Sequence, residues 1–177
     1  MKLIPTLACL SGAVMLAGAA MAQAPATPAA PRPAGLAPPA RGPSLTLSME
    51  AAQEALAVCD KAGFKVSATV LDSAGIQKVL LAADGAGMRP VTSSTAKALN
   101  VIKTGHASSV SQAQAEKDPA YAAEVAKDAT QMARAGAVPL MVGGTLIGAI
   151  GVGGANPSTQ DETCAKAGAD KITARLN

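Results

Sequence analysis

Residues 143–172 read GGTLIGAIGVGGANPSTQDETCAKAGADKI, and the parsing of this stretch decides the fold. Gly143-Gly144 separates two apolar runs, Val138 to Val142 and Thr145 to Val152. A glycine pair accepts the positive φ values of a tight two-residue turn, so the runs predict a β-hairpin. Gly148, Gly151, Gly153 and Gly154 remove side chains along and after the second strand, where another element or a subunit must come close. Thr159-Gln160-Asp161-Glu162 has the form of a capping box opening a last helix, with Ala165, Ala169, Ile172 and Leu176 on its inward face. The glycines lead into a helix N-terminus, as in phosphate-binding loops, but they lack the Lys-Ser/Thr of such a loop, and Asp161 and Glu162 would repel an anion.

Working outward, the rest of the chain supplies partners for this hairpin. Met49, Ala52, Leu56 and Cys59 fall at helical spacing, with Ser48 as N-cap, Glu50 in the first turn and Gly63 at the stop. Lys65 to Leu71 and Ile76 to Ala82 flank Asp72-Ser73-Ala74-Gly75 and predict a second hairpin. A helix over 91–104 has Thr95, Ala98, Leu99 and Ile102 inward and ends at Gly105. Gly105 to Lys117 is polar and reads as a mobile connection. Asp118 caps a further helix with Pro119 in its first position, and Tyr121, Val125, Ala129 and Met132 line one face before Gly136. The order helix, hairpin, helix, helix, hairpin, helix predicts an α+β fold, one antiparallel sheet built from two hairpins with helices packed on it. The first and last helices lie side by side in that arrangement, which brings Cys59 and Cys164 close together.

The N-terminus reads as a targeting segment. Lys2 precedes an apolar run from Leu3 to Ala20, and Ala20-Met21-Ala22 has the small-x-small pattern of a cleavage site. Residues 1–22 are therefore expected to be a signal peptide, removed with its Cys9, and the run is too short for a permanent membrane span. Residues 23–43, rich in Ala, Pro and Gly, are expected to form a disordered, Pro-stiffened linker. Residues 44–177 are then the folded domain, periplasmic or secreted.

Lys2, Arg32 and Arg41 account for the net charge of +3, which leaves the domain balanced and argues against nucleic acid as a partner. One Tyr, one Phe and no Trp provide no stacking platform for bases or sugars. No membrane contact is expected after signal cleavage.

Four blocks resemble the GlcG/HbpS-like family: LTLSMEAAQEALAVCDKAG, VSATVLDSAGIQKVLLAADGAG, SSTAKALNVIKTG and GAVPLMVGGTLIGAIGVGGANPSTQDETCAKAGADKI. They span almost all of 45–172 in the family's order, and the last is the most specific. The resemblance implies a small α+β domain related to the profilin-like sandwich, haem as cofactor, and a homo-oligomer, an octamer in several members. The chain departs from the family at Ala82-Ala83-Asp84, where members place a polar triplet such as Arg-Met-Asp. It departs again at Thr104-Gly105-His106-Ala107-Ser108, where members carry an Arg-Pro-Thr-like turn.

In that light His106, the only histidine, is the leading candidate to ligate haem iron. The plainer reading of His106 is a ring favoured by the dipole at a helix C-terminus. Tyr121, Met88 and Met132 are further axial candidates, although Tyr121 and Met132 fit the core as well, and Ser108 and Ser109 are weaker oxygen donors. Arg89, Lys97 and Lys103 are candidate cations for the propionates, against the reading that the lysines form a solvated helix face. Cys59 and Cys164 have no Cys or His at metal-ligand spacing, and export makes them candidates for a disulfide as against a redox sensor or two buried thiols. Asp72 and Asp84 read as turn formers, not as an acid/base pair. No hydrolytic constellation and no other catalytic residue emerges. The expected function is an exported haem-binding or haem-sensing protein that binds haem or another small ligand, with enzymatic activity left open. The alternatives are an enzyme acting on a small metabolite at a subunit interface and a ligand-free scaffold domain.

Overall fold

The computed structural model describes residues 39–177. The expected signal peptide and most of the linker lie outside the described residues. In chain order the elements are α1 (Leu45–Lys61), β1 (Ser67–Asp72), β2 (Gln77–Ala82), α2 (Met88–Thr104), α3 (Ser108–Lys117), α4 (Pro119–Ala126), β3 (Ala137–Val142), β4 (Thr145–Gly153) and α5 (Thr159–Thr173). Both hairpins form, and β1 pairs with β4 to join them into one antiparallel sheet of order β2-β1-β4-β3. The chain has the α+β architecture that its order of elements implies.

Helices cover both faces of this sheet. Alternate residues of the two central strands divide between them, because successive strand side chains point to opposite faces. Ala68, Val70, Ile150 and Val152 join Ala51, Ala52, Ala55 and Cys59 of α1 and Cys164, Ala165 and Ile172 of α5 in the larger core. Leu71 and Ala149 pack with Ala98 and Val101 of α2 in a smaller one. β4 is therefore buried from Ile147 to Gly153. α1 and α5 lie side by side, and Cys59 and Cys164 are joined by a disulfide across a Cα–Cα distance of 5.7 Å.

The glycines of the opening stretch are accounted for by α2. A Cβ at Gly151 would meet the Ser94 carbonyl and Ala98, and one at Gly153 would meet Ser93, Ser94 and the Pro90 carbonyl. With both side chains absent, the first turns of α2 lie directly on β4. Gly143 and Gly144, at φ 55° and 78°, form the expected turn.

Several expected boundaries differ. Ser44, not Ser48, caps α1, accepting from the Leu47 amide at 3.2 Å, and Ser48 is buried one turn inside. α2 begins at Met88 rather than 91, because Pro90 falls in the first turn, where no intrahelical amide bond is needed. Its buried face is Ser94, Lys97, Ala98, Asn100 and Val101, so Thr95, Leu99 and Ile102 flank it. The stretch read as a mobile connection contains helix α3. The helix from Pro119 ends at Ala126, well before Gly136, where the Asp128 carboxylate accepts the Thr130 amide at 3.0 Å and draws the backbone into a turn. Thr159-Gln160-Asp161-Glu162 does not form a capping box. Ser158 occupies the N-cap without a side-chain bond, and both acidic side chains reach elsewhere. Finally, the last linker residues are docked: Arg41 and Ser73 exchange hydrogen bonds, the Arg41 amide to Ser73 Oγ at 2.9 Å and the Ser73 amide to the Arg41 carbonyl at 2.8 Å.

Candidate functional site

The expected site residues fall at the two ends of α2. At about 1.5 Å per residue, Arg89 near its start and His106 just past its end are about 25 Å apart. That exceeds the reach from iron to propionate in one porphyrin, so within one subunit these residues do not come together around a single haem.

At the N-terminal end lies a cavity of about 400 Å³ between the first turns of α2, the 132–134 loop and the β4–α5 connection. Its floor is an ion pair. Lys97 Nζ lies 2.6 Å from Asp161 Oδ2 and donates to the Val152 carbonyl at 3.1 Å, while Asp161 Oδ1 accepts the Ala155 amide at 2.8 Å. Burial pushes the Lys97 ammonium below its ordinary pKa and the Asp161 carboxyl above its own, each partly offset by the partner. Lys97 is thus not on a solvated face, since its side chain is 3% exposed. Gly136, at φ 139°, makes room for it, because a Cβ there would come within 2.6 Å of Nζ. Arg89 and Arg134, both exposed, stand at the rim, and neither is ion-paired among the described residues. The sequence singled out Arg89 and Lys97 but missed Arg134 and Ser158, which no motif marks, and it assigned Asp161 to a helix cap.

The C-terminal end holds His106 and Lys103. His106 is half-buried, and its Nδ1 lies 3.2 Å from the Ala107 carbonyl. The tautomer protonated at Nδ1 donates there and leaves the Nε2 lone pair free. Lys103 is exposed, 3.9 Å from Asp128. Half-buried Leu99 and Ile102, with exposed Ile76 and Val110, give this end apolar surface. His106 lines neither the cavity at the other end of α2 nor a shallower one under α3.

Ser108 and Ser109 face inward to Glu162. Ser109 donates to Glu162 from its amide at 3.0 Å and its hydroxyl at 2.6 Å, and the Gly136 amide joins at 3.1 Å. Ser108 Oγ accepts the Ala137 amide at 2.8 Å. Both hydroxyls are therefore engaged in packing α3. Met88 is exposed at the start of α2, Met132 borders the cavity, and the Tyr121 hydroxyl is buried without a partner among the described residues. Asp72 holds the first hairpin turn, accepting the Ala74 and Ile76 amides.

The family model described as haem degrading protein HbpS-like matches residues 44–170. The chain belongs to the HbpS-like family. Among solved structures, a double mutant of HbpS from Streptomyces reticuli is 30% identical, covers 82% of this chain and 96% of its own, and superposes with a TM-score of 0.70. The ORFY protein of Klebsiella pneumoniae is 18% identical, covers 80% and 97%, and has a TM-score of 0.70. PduOC in a haem complex is 18% identical, covers 77% and 97%, and has a TM-score of 0.68. No curated protein sequence matches this one. The family to which the chain belongs is thus a haem-related one by its description. Among the described residues there is no group of three His, Cys, Asp or Glu that would hold a metal ion, and no helix is long and apolar enough to cross a membrane.

Proposed function

We propose that this HbpS-like chain is an exported haem-binding protein that holds haem at the C-terminal end of α2, with His106 Nε2 as the iron ligand. The observation that carries the reading is the half-buried His106, whose Nδ1 lies against the Ala107 carbonyl and leaves Nε2 for a ligand, in a chain 28% identical to HbpS. PduOC, a protein of the same fold, is known as a haem complex. Lys103, one turn before His106, is the cation within reach of a propionate, whereas Arg89 and Lys97 sit at the far end of the helix. Haem bound there would supply a redox-active iron; His106 would hold it, and Leu99, Ile102 and Val110 would offer it apolar surface. The exposed Ile76 and Val110 leave the other side to be closed by a second copy, in keeping with the homo-oligomer implied by the family. Export rests on the targeting pattern of residues 1–22 and fits the Cys59–Cys164 disulfide.

A hemin titration followed by absorbance, with native mass for stoichiometry, tests the reading. A saturable Soret shift is expected, weakened and displaced in His106→Ala. No saturable shift would overturn haem binding, and an unchanged band in His106→Ala would remove His106 as the ligand.

A further inference from the structure

The cavity at the other end of α2 has a chemistry of its own, independent of the haem reading. Its floor carries no net charge, because Lys97 and Asp161 neutralise each other at 2.6 Å. What remains is positive. Arg89 and Arg134 contribute two guanidinium groups with no ion-pair partner among the described residues. The N-terminus of the 17-residue α2 adds its dipole, since Gly87 at the N-cap provides no side-chain bond and the first turn holds no acidic residue. A further observation comes from α5. Ser158 is 7% exposed and lines the cavity, yet its hydroxyl makes no hydrogen bond to any described residue. The hydroxyl is not sealed in the core as those of Ser67 and Ser111 are, so it is open to the cavity and available to donate to a ligand there.

We infer that this cavity is a binding site for a small organic carboxylate, held by Arg89 and Arg134 with Ser158 as a neutral donor. Planar guanidinium groups match carboxylate oxygens in paired hydrogen bonds. The volume of about 400 Å³ exceeds the needs of a bare inorganic anion, and Pro90, Met132 and Ala155 offer apolar wall for a short carbon skeleton. A dicarboxylate of a few carbons uses both arginines at once.

Isothermal titration of the purified chain with succinate at low salt tests the site, with succinamide and inorganic phosphate as the other probes. Saturable succinate binding is expected, absent for the diamide and weaker for phosphate. Arg89→Gln and Arg134→Gln, both at exposed positions that leave the fold intact, should each weaken succinate on the order of ten-fold. Ser158→Ala should weaken it less. Absence of saturable binding, or binding unchanged in the double arginine variant, overturns the site, and phosphate binding tighter than succinate overturns the carboxylate assignment. The double variant should keep the Soret titration of the parent chain. If it loses haem instead, the arginines serve the propionates and the separate site is overturned.

Discussion

Lys97 of α2 and Asp161 of α5 meet at 2.6 Å beneath the cavity, with side chains 3% and 1% exposed, and they tie together two helices on opposite faces of the sheet. Both charges have lost their water, so the pair is maintained by mutual attraction and by the Val152 carbonyl and Ala155 amide that complete it. Removal of one partner strands the other. Asp161→Asn, which keeps an acceptor for the Ala155 amide, should destabilise the domain by about 3–5 kcal/mol. Adding Lys97→Met should recover most of that loss. Urea denaturation of the three proteins measures both effects, and a double variant as unstable as Asp161→Asn would show that the ion pair is not the source.

The same pair predicts a pH dependence of known sign. Burial already lowers the Lys97 pKa from its ordinary 10.5, and loss of the Asp161 charge lowers it further. In Asp161→Asn the unfolded chain then binds more protons than the folded one at any pH between the depressed value and 10.5, so stability must rise with pH across that window. Unfolding free energies measured from pH 7 to pH 10 should climb for Asp161→Asn and stay flat by comparison for Lys97→Met/Asp161→Asn.

Glu162 caps a helix to which it does not belong. α3 starts after Ala107, which has no capping side chain, and Glu162 of α5 accepts the Ser109 amide and hydroxyl and the Gly136 amide. A carboxylate at a helix N-terminus is favoured by the dipole as well as by the hydrogen bonds. Glu162→Ala should cost about 1–3 kcal/mol and should loosen α3 first. Amide hydrogen exchange should therefore rise over 108–117 more than over α1, and uniform exchange would argue against a local cap.

That cap also explains what the sequence concealed. α3 buries only Ser108 and Ser111 and has almost no apolar face, so its periodicity resembles that of a polar loop, and the group that fixes it lies more than fifty residues away. The sheet, by contrast, was legible because hairpins declare themselves locally, in Gly143-Gly144 and Asp72-Ser73-Ala74-Gly75. At the candidate sites, Arg89, Lys97 and His106 stood out by residue type alone. Their separation along α2 was implicit in the helical rise, but the pairing of Lys97 with Asp161 depended on the tertiary fold, and Arg134 and Ser158 became neighbours only there.

Gly151 should tolerate nothing larger. In Gly151→Ala the new methyl would strike the Ser94 carbonyl, with the Ala98 Cβ at 3.0 Å and the Ala98 amide nitrogen at 3.1 Å, so backbone rather than a flexible side chain would have to move. Overpacking of this kind should cost about 1–3 kcal/mol. Gly87 offers a matched control, since an added Cβ there meets nothing within 4 Å and its φ of -83° suits any residue. Gly87→Ala should change stability by no more than about 0.5 kcal/mol. Equal effects of the two substitutions, measured by thermal unfolding, would refute the close approach of α2 to β4.

The Cys59–Cys164 disulfide closes a loop with a sequence separation of 105 residues and lies inside the larger core. Its main expected effect is on the denatured chain, which loses the freedom of that loop, and the chain-entropy model puts the stabilisation at about 5 kcal/mol. Cys59→Ala/Cys164→Ala should lose that amount plus a smaller contribution from the space left between α1 and α5. Reduction without substitution separates the two contributions, because it opens the loop and leaves the sulfur atoms in place. A reduced chain as stable as the oxidised one would place the stabilisation in packing alone.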